Sequence, residues 1–363
     1  MKIENICEIF GIKGEMTECI AIKTGNINKT YKVTFLENGE KKEYIVQDIN
    51  KFVFKNPGNI MQNISLVTKH VAGKYDGNCE RYVLNFLNTS DGKNYFIDDD
   101  DRFMRAYHFV PDSLTYDVFD DLSVIEKAGE AFGRFQMQLS DFDASTLYEI
   151  IPDFHNTAAR YEVLKEKIAK DEYSLKAEVE DEIAFLLENE EIATSLVKKL
   201  ESGEIPLRVT HNDTKCNNVL FDENTNEPLA VIDLDTVMPG LTAYDFGDAV
   251  RFAANTAKED EPDISKVGLD LKKYEAFAKG FVSQVAETLT KEELETLYLG
   301  PIVMTVELAV RFLSDYLDGS KYFKCDYEKH NLVRTRCQIA LAKDMLEKTE
   351  ETKKIIKIYG KKE

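Results

Sequence analysis

The amino-acid sequence predicts an α+β fold with two lobes, in which a small antiparallel-sheet lobe precedes a larger, mainly helical lobe. Three observations predict this fold class. Short stretches rich in β-branched and aromatic residues, separated by turns, fill the chain up to Pro111. Long amphipathic patterns with helical spacing follow, and one β-rich insert at residues 207–235 interrupts them. We therefore expect an N-lobe at residues 1–108 and a C-lobe at residues 109–363.

The N-lobe is predicted to begin with an antiparallel hairpin. Residues 28–35 (NKTYKVTF) and 43–49 (EYIVQDI) are rich in β-branched and aromatic side chains, and the polar residues 37–42 form a turn between them. Residues 94–97 and 102–109, separated by residues 98–101, are predicted to be two further strands.

Helical spacing is clearest at residues 59–72, which follow the stop signal Asn-Pro-Gly. The apolar positions that would lie on one face of this helix are Ile60, Ile64, Val67 and Val71. The helices predicted for the C-lobe are at residues 122–139, 157–168, 175–188 and 190–200, and over most of residues 267–356.

Composition and charge exclude several classes of function. The 363 residues carry a formal net charge of −20, and nucleic acid is excluded as a partner because it is bound largely by Lys and Arg. A nucleotide remains possible, since a bound metal ion supplies positive charge locally. The six cysteines include no CxxC pair, which argues against a zinc site or disulfides. No apolar run approaches the roughly 20 residues of a membrane span, so we expect no membrane partner. The scattered cysteines make a cytoplasmic location the default expectation.

The residues with the strongest chemical signal lie in the β-rich insert. Residues 209–222 (VTHNDTKCNNVLFD) and 229–235 (LAVIDLD) flank a polar turn and predict an antiparallel hairpin. In that register Asn218 lies opposite or beside Asp233, and directly opposed residues have Cβ atoms about 4.5–5.5 Å apart. Asp213 then lies on the loop that leads into the hairpin.

This arrangement suits phosphoryl transfer, which needs oxygen ligands for Mg²⁺ and a separate carboxylate that accepts the proton of the attacking hydroxyl. The spacing H-x-D-x4-N, followed by a hairpin that ends in Ile-Asp, matches the kinase catalytic loop and indicates a protein-kinase-like fold. The alternative is an ordinary hairpin with turn and capping residues. His211 is expected to hold the loop by hydrogen bonds. Asp235 is expected to be either a second metal ligand or the cap of the next turn.

Several strings resemble the aminoglycoside phosphotransferase-like kinases, a family that includes choline and homoserine kinases. The strings that carry this resemblance are HNDTKCNNVLFD, VIDLDTVMPG and YDFGDAVRF. It extends over residues 25–323 and is closest to the N-acetylhexosamine 1-kinases through GNINKTYKV, YIVQDINKFVFKNP, FMRAYHFVPDS, IPDFHNTAARYEVL and ELAVRFLSDYLDGSKYF. The resemblance implies an ATP- and Mg²⁺-dependent kinase. Its small-molecule substrate would be a sugar, GlcNAc or GalNAc, phosphorylated at the anomeric hydroxyl.

The resemblance also implies roles for individual residues. Asp213 would be the catalytic base and contact the substrate, while Asn218 and Asp233 would bind Mg²⁺. Residues 105–109 would form the hinge that binds adenine through backbone groups near Tyr107. The residues that would cover the ATP phosphates are Gly25, Asn26, Ile27 and Asn28.

Position 47 departs from many kinases, which have a lysine on this strand paired with a helix glutamate to hold the ATP phosphates. Here the strand residue is Gln47 and the candidate helix residue is Gln62. These amides can donate hydrogen bonds to phosphate but supply no charge. Sequences that resemble the sugar kinases share this glutamine, so we do not interpret it as loss of activity. Lys29 or Lys51 could compensate.

Glu307, Arg311 and Asp315 recur every four residues along the apolar segment 302–317. Two interpretations are open, a salt-bridge ladder and a charged stripe that lines a cleft. The resemblance places these residues near the sugar, and we predict Arg311 and Asp315 as substrate-binding residues.

Other polar residues are predicted to be structural. Asp245 would complete a capping box with Thr242, with substrate contact as the alternative. Asp248 would pair with Arg251. The residues expected to cap a helix, again with sugar contact as the alternative, are Asp153, His155 and Arg160.

The sequence thus predicts an N-acetylhexosamine kinase, with two rivals. One is a kinase for another small hydroxyl acceptor, such as an aminoglycoside, choline or another sugar. The other is a nucleotide-binding protein that has lost activity, which Gln47 suggests. The presence of Asp213, Asn218 and Asp233 argues against the second rival.

Overall fold

The computed structural model describes residues 1–22, 27–117 and 119–361. Gly25 and Asn26, predicted to cover the ATP phosphates, lie outside the described residues. The chain divides into two compact units. The first contains Met1–Thr115, Ser145–Ile151 and Val219–Met238, and the second contains Tyr116–Ala144, Pro152–Asn218 and Pro239–Glu363.

An antiparallel sheet dominates the first unit. Its strands are β1 (Glu15–Ile22), β2 (Lys29–Glu37), β3 (Glu40–Ile49), β4 (Phe96–Ile97) and β5 (Phe103–His108). Their order is β1-β2-β3-β5-β4, and the predicted hairpin of β2 and β3 is confirmed. Strand β1 forms one edge, and its pairing with β2 shifts between Met16 and Glu18, as at a β-bulge.

A two-residue turn joins β2 to β3. Asn38 (φ 52°) and Gly39 (φ 86°) both have positive φ, as a type I′ hairpin turn requires. The turn predicted at residues 37–42 is therefore too long, because the charged residues Lys41 and Lys42 continue β3 and pair with β2.

Helix α1 (Ile3–Ile9) packs against this sheet and was not predicted from the sequence. Its residues Ile6 and Cys7 share one core cluster with Val33 of β2 and Val46 of β3. Burial raises the pKa of Cys7 to about 12. A seven-residue helix has too few turns to show a clear hydrophobic period.

Helix α2 (Pro57–Ala72) confirms the predicted helix, and its four predicted apolar positions are buried. Pro57 occupies the first turn, where a missing N–H is tolerated. On the same helix, the side-chain amide of Asn63 donates to Tyr148 O (2.8 Å) and Val237 O (2.9 Å). Helix α2 therefore holds the chain near Val237 in place.

The hairpin predicted for the β-rich insert is also present. The remaining strands are β6 (Ser113–Leu114), β7 (Arg208–Thr210), β8 (Val219–Asp222), β9 (Pro228–Val231) and β10 (Met238–Gly240). Strand β8 pairs antiparallel with β9 on one side and β6 on the other. An irregularity pairs Phe221 with Pro228, where Leu229 or Ala230 was predicted, and the ladder ends at Val231.

Helices make up most of the second unit, which confirms the predicted α+β class. They are α3 (Leu122–Gln138), α4 (Thr157–Lys170), α5 (Glu180–Glu188), α6 (Glu190–Ala193), α7 (Ser195–Glu201), α8 (Thr242–Ala253), α9 (Leu271–Val285), α10 (Lys291–Thr296), α11 (Leu299–Leu317), α12 (His330–Glu347) and α13 (Thr349–Tyr359). None of the helices in the described ranges is long and apolar enough to cross a membrane.

Two predicted helices of this unit are wrong in detail. The helix predicted at residues 175–188 begins only at Glu180. The helix predicted at residues 190–200 is broken at Thr194, whose hydroxyl donates to Glu190 O (2.8 Å). Such back-bonding by threonine competes with the helical hydrogen bonds and bends the chain.

Glycines allow helices α3 and α9 to approach closely. A Cβ atom built at Gly280 would lie 1.9 Å from Glu126 O, and one at Gly129 would lie 2.4 Å from Phe277 O. No side chain fits at these positions, so the two backbones must remain in contact.

We expect Gly280→Ala to lower the free energy of unfolding by about 2–3 kcal/mol, because the new methyl group forces the two helices apart. The matched control is Gly58→Ala in α2, where a Cβ atom would have no neighbour within 4 Å. That change should be neutral or stabilise by up to about 1 kcal/mol. Urea denaturation measures both. Equal effects of the two substitutions would contradict the close packing.

Candidate active site

The loop that follows β7 carries the H-x-D-x4-N residues. Its residue Asn212 has a φ of 64°, a left-handed conformation that asparagine adopts more readily than most residues. The loop closes in one turn of 3₁₀ helix, Cys216–Asn218. Its backbone conformation is therefore irregular and needs support from outside.

Asp245 provides that support. Its two carboxylate oxygens accept the backbone N–H groups of His211 and Asn212, each at 2.8 Å, and Gln136 Nε2 also donates to it. Thr214 Oγ1 donates to Asp245 O at 2.6 Å. Burial raises the pKa of Asp245, although the nearby His211 and the backbone N–H groups oppose this effect.

The capping box predicted for Asp245 is wrong. Helix α8 begins at Thr242 after Leu241, and no side chain caps it. The carboxylate binds instead to a loop more than thirty positions earlier in the chain. A sequence pattern relates a residue only to its neighbours in the chain, and therefore suggested a role for Asp245 in capping its own helix.

His211 lies at the centre of the loop and is fully buried. Its ring packs edge-on against Phe132 and Phe135, with centroid distances of 5.7 and 6.2 Å. Its Nδ1 accepts the backbone N–H of Asp213 at 3.3 Å. His211 thus connects the loop to helix α3 and restrains the backbone of Asp213.

Asp213 is the accessible acid of the loop, with 28% of its side chain exposed. Lys215 Nζ lies 2.8 Å from its Oδ1, and Asn218 Nδ2 donates to its backbone O (2.9 Å) and to Oδ2 (3.3 Å). Burial would lower the pKa of Lys215, but the charges of Asp213 and Asp248 outweigh it and raise that pKa. Lys215 was missed because it occupies one of the unspecified positions of the H-x-D-x4-N spacing.

Asp248 and Arg251 form the predicted ion pair, with Nη2 2.9 Å from Oδ1. Arg251 Nη1 also lies 3.0 Å from Glu259. Burial opposes ionisation of Asp248, yet the charges of Arg251 and Lys215 lower its pKa. This buried pair therefore places the Asp248 carboxylate, whose pKa its cationic neighbours lower, close to Lys215.

The donor chemistry of the two predicted metal ligands fits Mg²⁺. The amide nitrogen of Asn218 is engaged by Asp213, so its carbonyl oxygen is the end left for a cation. Asp233 is exposed and has a φ of 59°, at the turn after β9. Oxygen atoms from one amide and one carboxylate are ligands that Mg²⁺ accepts, with water and phosphate completing its shell. Within the described ranges there is no cluster of three His, Cys, Asp or Glu residues suited to a metal ion.

Both carboxylate oxygens of Asp235 accept hydrogen bonds from other residues of the first unit. Arg105 Nη1 donates to Oδ1 at 2.5 Å, and Asn28 Nδ2 donates to Oδ2 at 2.6 Å. Asn28 Oδ1 accepts the backbone N–H of Asn50 at 3.0 Å, whereas the Ile27 side chain is exposed. These contacts give Asp235 a role that the sequence did not indicate, since its carboxylate holds Arg105 and Asn28, and its role as a second metal ligand stays a prediction.

Gln47 also belongs to this network. Its Oε1 accepts Arg105 Nε at 2.8 Å, and its Nε2 donates to Thr30 Oγ1 at 3.1 Å. Lys51, one of the two lysines considered as replacements, lies 2.5 Å from Asp101 Oδ2. The other, Lys29, has an exposed side chain.

The backbone groups predicted to bind adenine are already paired. Ala106 O accepts the N–H of Leu87 (2.8 Å), and the N–H of His108 donates to Asn85 O (3.1 Å). The Tyr107 ring packs against Phe86, and burial raises the pKa of its hydroxyl. The stretch from Ala106 to His108 is therefore a sheet strand with a covered edge, and we withdraw it as the adenine site.

The three charged residues of α11 do not form a salt-bridge ladder in the described structure. Glu307 is buried, with Oε1 3.1 Å from His155 Nδ1, and its Oε2 accepts Thr157 Oγ1 at 2.8 Å. Although burial opposes it, His155 and the charge of Arg311 lower the pKa of Glu307. Among the described residues, no carboxylate lies within ion-pair distance of Arg311. Its guanidinium instead lies 5.8 and 5.5 Å from the centroids of Phe154 and Phe323.

Asp315 anchors the loop that follows α11. Its carboxylate accepts three consecutive backbone N–H groups, at 2.8–3.0 Å, and the side-chain amide of Asn331 at 2.8 Å. The donating backbone groups belong to Lys321, Tyr322 and Phe323. Because both oxygens are occupied, we withdraw the predicted substrate contact of Asp315.

The residue that caps α4 is Asn156, whose side chain accepts the N–H of Ala159 at 3.1 Å. Asp153 Oδ1 accepts Asn156 Nδ2, and Arg160 Nη2 donates to Asp153 O, so two of the predicted capping residues support the cap indirectly. His155 instead belongs to the Glu307 cluster. Burial and the charge of Arg311 lower the pKa of Arg160.

Comparisons with known proteins show the family of this chain and its fold. The family model described as the phosphotransferase enzyme family matches residues 18–276. Three solved structures share the fold over most of their length. The first is a microcompartment-associated aminopropanol kinase, with 16% identity, a TM-score of 0.63, and coverage of 96% of this chain and 98% of that chain. The second is a spectinomycin phosphotransferase in complex with ADP and spectinomycin, with 13% identity, a TM-score of 0.57, and coverage of 96% and 97%. The third is a choline kinase from Cryptosporidium parvum Iowa II, with 16% identity, a TM-score of 0.56, and coverage of 96% and 95%.

Proposed function

Because the chain belongs to the phosphotransferase enzyme family, we propose that it is an ATP- and Mg²⁺-dependent small-molecule kinase whose acceptor is the anomeric hydroxyl of an N-acetylhexosamine. The observation that carries the kinase assignment is that Asp213 has an accessible carboxylate on a restrained backbone. This carboxylate is partly exposed, yet its backbone is restrained by His211, Asn218 and, through the loop, Asp245.

Each residue has a defined task in this proposal. Asp213 orients the acceptor hydroxyl and accepts its proton, which requires a carboxylate within hydrogen-bond reach of the acceptor. Lys215 Nζ, 2.8 Å from Asp213 Oδ1, helps to fix the orientation of that carboxylate. Asn218 and Asp233 would hold Mg²⁺, which when bound neutralises phosphate charge. Holding these groups before the substrates arrive lowers the barrier through positioning and electrostatics.

The charges near Arg311 support a neutral acceptor. Arg311 and Arg160 are both cations, and the neighbouring carboxylate of Glu307 is engaged by His155 and Thr157. An ammonium group would meet repulsion here, whereas sugar hydroxyls and an acetamido carbonyl accept hydrogen bonds from a guanidinium. Choline and aminoglycosides are therefore less suited to this cluster than an N-acetylhexosamine.

Two buried nitrogen atoms add to this argument. In the described part of the chain, His155 Nε2 and Arg160 Nε have no hydrogen-bond partner. Buried polar atoms without a partner are rare and often mark a place for water or a ligand. They surround the same cluster and supply polar groups for a hydroxylated molecule.

The test is ADP release from ATP and Mg²⁺ with GlcNAc, GalNAc, glucose, galactose, choline or kanamycin as acceptor. We expect stimulation by the N-acetylhexosamines alone, with the product phosphorylated at the anomeric position. Stimulation by choline or kanamycin would overturn the sugar assignment and leave a kinase. Absence of stimulation by every acceptor would contradict the proposal as a whole.

We expect Arg311→Met to raise the KM for the sugar acceptor about 10- to 100-fold, equivalent to a charged hydrogen bond of about 1.5–3 kcal/mol. The KM for ATP should not change. Steady-state kinetics with each substrate varied in turn measure both values.

The matched control is Arg334→Met, since Arg334 also lies over a ring, 5.4 Å from the centroid of Phe312. Its guanidinium is engaged by Lys324 O and Asn331, so its loss should leave both KM values unchanged. An equal rise of the acceptor KM in both variants would show that the effect comes from losing a cation–ring contact and not from losing a contact with the acceptor.

A further inference from the structure

Arg105 is a cation enclosed within the first unit, with only 2% of its surface exposed. A buried charge is tolerated only when it is paired and hydrogen-bonded. Its Nη1 donates to Asp235 Oδ1 and its Nε to Gln47 Oε1, while Phe86 lies beneath the guanidinium at 5.6 Å. Asp235 lies two positions after the proposed Mg²⁺ ligand Asp233, and Gln47 occupies the position where many kinases have a lysine.

The buried guanidinium of Arg105 explains why position 47 is a glutamine and not a lysine. Gln47 and Arg105 are directly opposed across β3 and β5. A lysine at position 47 would place a second cation against the guanidinium in a buried place, which costs free energy. Glutamine accepts from Arg105 with one end of its amide and donates to Thr30 with the other. It orients the arginine without adding charge.

Asp235 connects this network to the Asp233 turn. Asp233 has a left-handed backbone (φ 59°, ψ 55°), and Leu234–Thr236 form a single 3₁₀ turn directly after it. A short turn with an unfavourable backbone conformation persists only where its surroundings hold it. Here Arg105 and Asn28 hold the Asp235 carboxylate from two sides.

We propose that Arg105 is the positioning residue that takes the place of the missing lysine, acting through Asp235 to hold the Asp233 turn in the conformation that binds Mg²⁺. This inference rests on the proposed function only in that Asp233 is taken as a metal ligand. The positive charge of Arg105, on β5, acts on the Asp235 carboxylate of the protein itself. The lysine of many other kinases, on the strand that corresponds to β3, acts on the ATP phosphates.

The experiment compares the wild-type protein with Arg105→Met/Asp235→Asn. The double variant removes both charges together, nearly conserves volume and keeps an oxygen for Asn28, so no buried charge is left unpaired. Without nucleotide, we expect at least tenfold faster amide hydrogen exchange at residues 233–237 and unchanged exchange in α9. Calorimetry should show at least tenfold weaker binding of Mg²⁺·ADP. Arg105→Lys should restore part of both losses, because it can bind Asp235 but not Gln47 at the same time.

The control is Arg208→Met/Glu293→Gln, which removes a partly buried pair with bonds of 2.9 and 2.7 Å. It should lower thermal stability without changing exchange at residues 233–237 or Mg²⁺·ADP binding. Unchanged exchange and binding in the Arg105 double variant would overturn the inference. A wild-type protein that binds Mg²⁺·ADP but phosphorylates no acceptor would remove the proposed function and leave this inference to be judged by the exchange data.

Discussion

Asp213→Asn is expected to lower kcat by about 10²–10⁴, the usual contribution of a positioned general base. An amide of the same shape can still contact Lys215 and Asn218 but cannot accept the proton of the acceptor hydroxyl. Binding of ADP should remain nearly unchanged, because the substituted group is assigned to the acceptor and not to the nucleotide. Single-turnover kinetics and calorimetry measure the two effects separately.

Asp222→Asn is the matched control for this variant. Asp222 ends β8, lies nine positions after Asp213, and its carboxylate binds Arg81 at 2.9 Å and the backbone of Asn224 and Thr225. Its substitution should lower stability slightly and leave kcat within a small factor of wild type. Retained turnover in Asp213→Asn would remove Asp213 from its assigned role, and a loss in both variants would point to damage of the fold.

Asp245→Ala is expected to lower the free energy of unfolding by at least about 3 kcal/mol and to abolish activity. The substitution leaves the N–H groups of His211 and Asn212 and the amide of Gln136 buried without an acceptor, at about 1–3 kcal/mol for each. Urea denaturation measures the stability. Activity assays at a temperature where the variant remains folded separate loss of the loop from loss of the protein.

Asp270→Ala is the control, because Asp270 also accepts two backbone N–H groups, those of Lys272 and Lys273 at the start of α9. This position is partly exposed, so water replaces the lost acceptor and the expected cost is about 1 kcal/mol. Equal losses in the two variants would contradict the view that burial of the Asp245 contacts is decisive.

Local patterns predicted much of the fold. The apolar stripe of α2 and the β-branched and aromatic content of β2 and β3 are properties of single elements, and the helix and the hairpin that they predicted are found in the structure. The hairpin of β8 and β9 was predicted from two apolar strings that flank a polar turn, but its predicted register was wrong, since nothing in these strings marks the irregularity at Phe221. Helix α1 was missed because it is too short to show a period.

Contacts between distant parts of the chain set the limit at the candidate site. The H-x-D-x4-N spacing identified the loop, but nothing in the sequence pairs Asp245 with His211 or Asp235 with Arg105. The latter two residues are 130 positions apart. Asp315 shows the same limit, since a charged stripe on a helix looks alike whether it faces a ligand or holds a loop. In each case the residue was identified, and the partner that decides its task was not.

The edge strand β1 has a consequence for how copies of this protein behave in concentrated solution. An open strand edge presents N–H and C=O groups that can pair with the same edge of another molecule and start aggregation. Here the irregularity between Met16 and Glu18 interrupts a regular row of such groups. Glu15 and Glu18 also place like charges along the strand, so two such edges repel each other. The features of β1 therefore protect the molecule against self-association through pairing of this sheet edge.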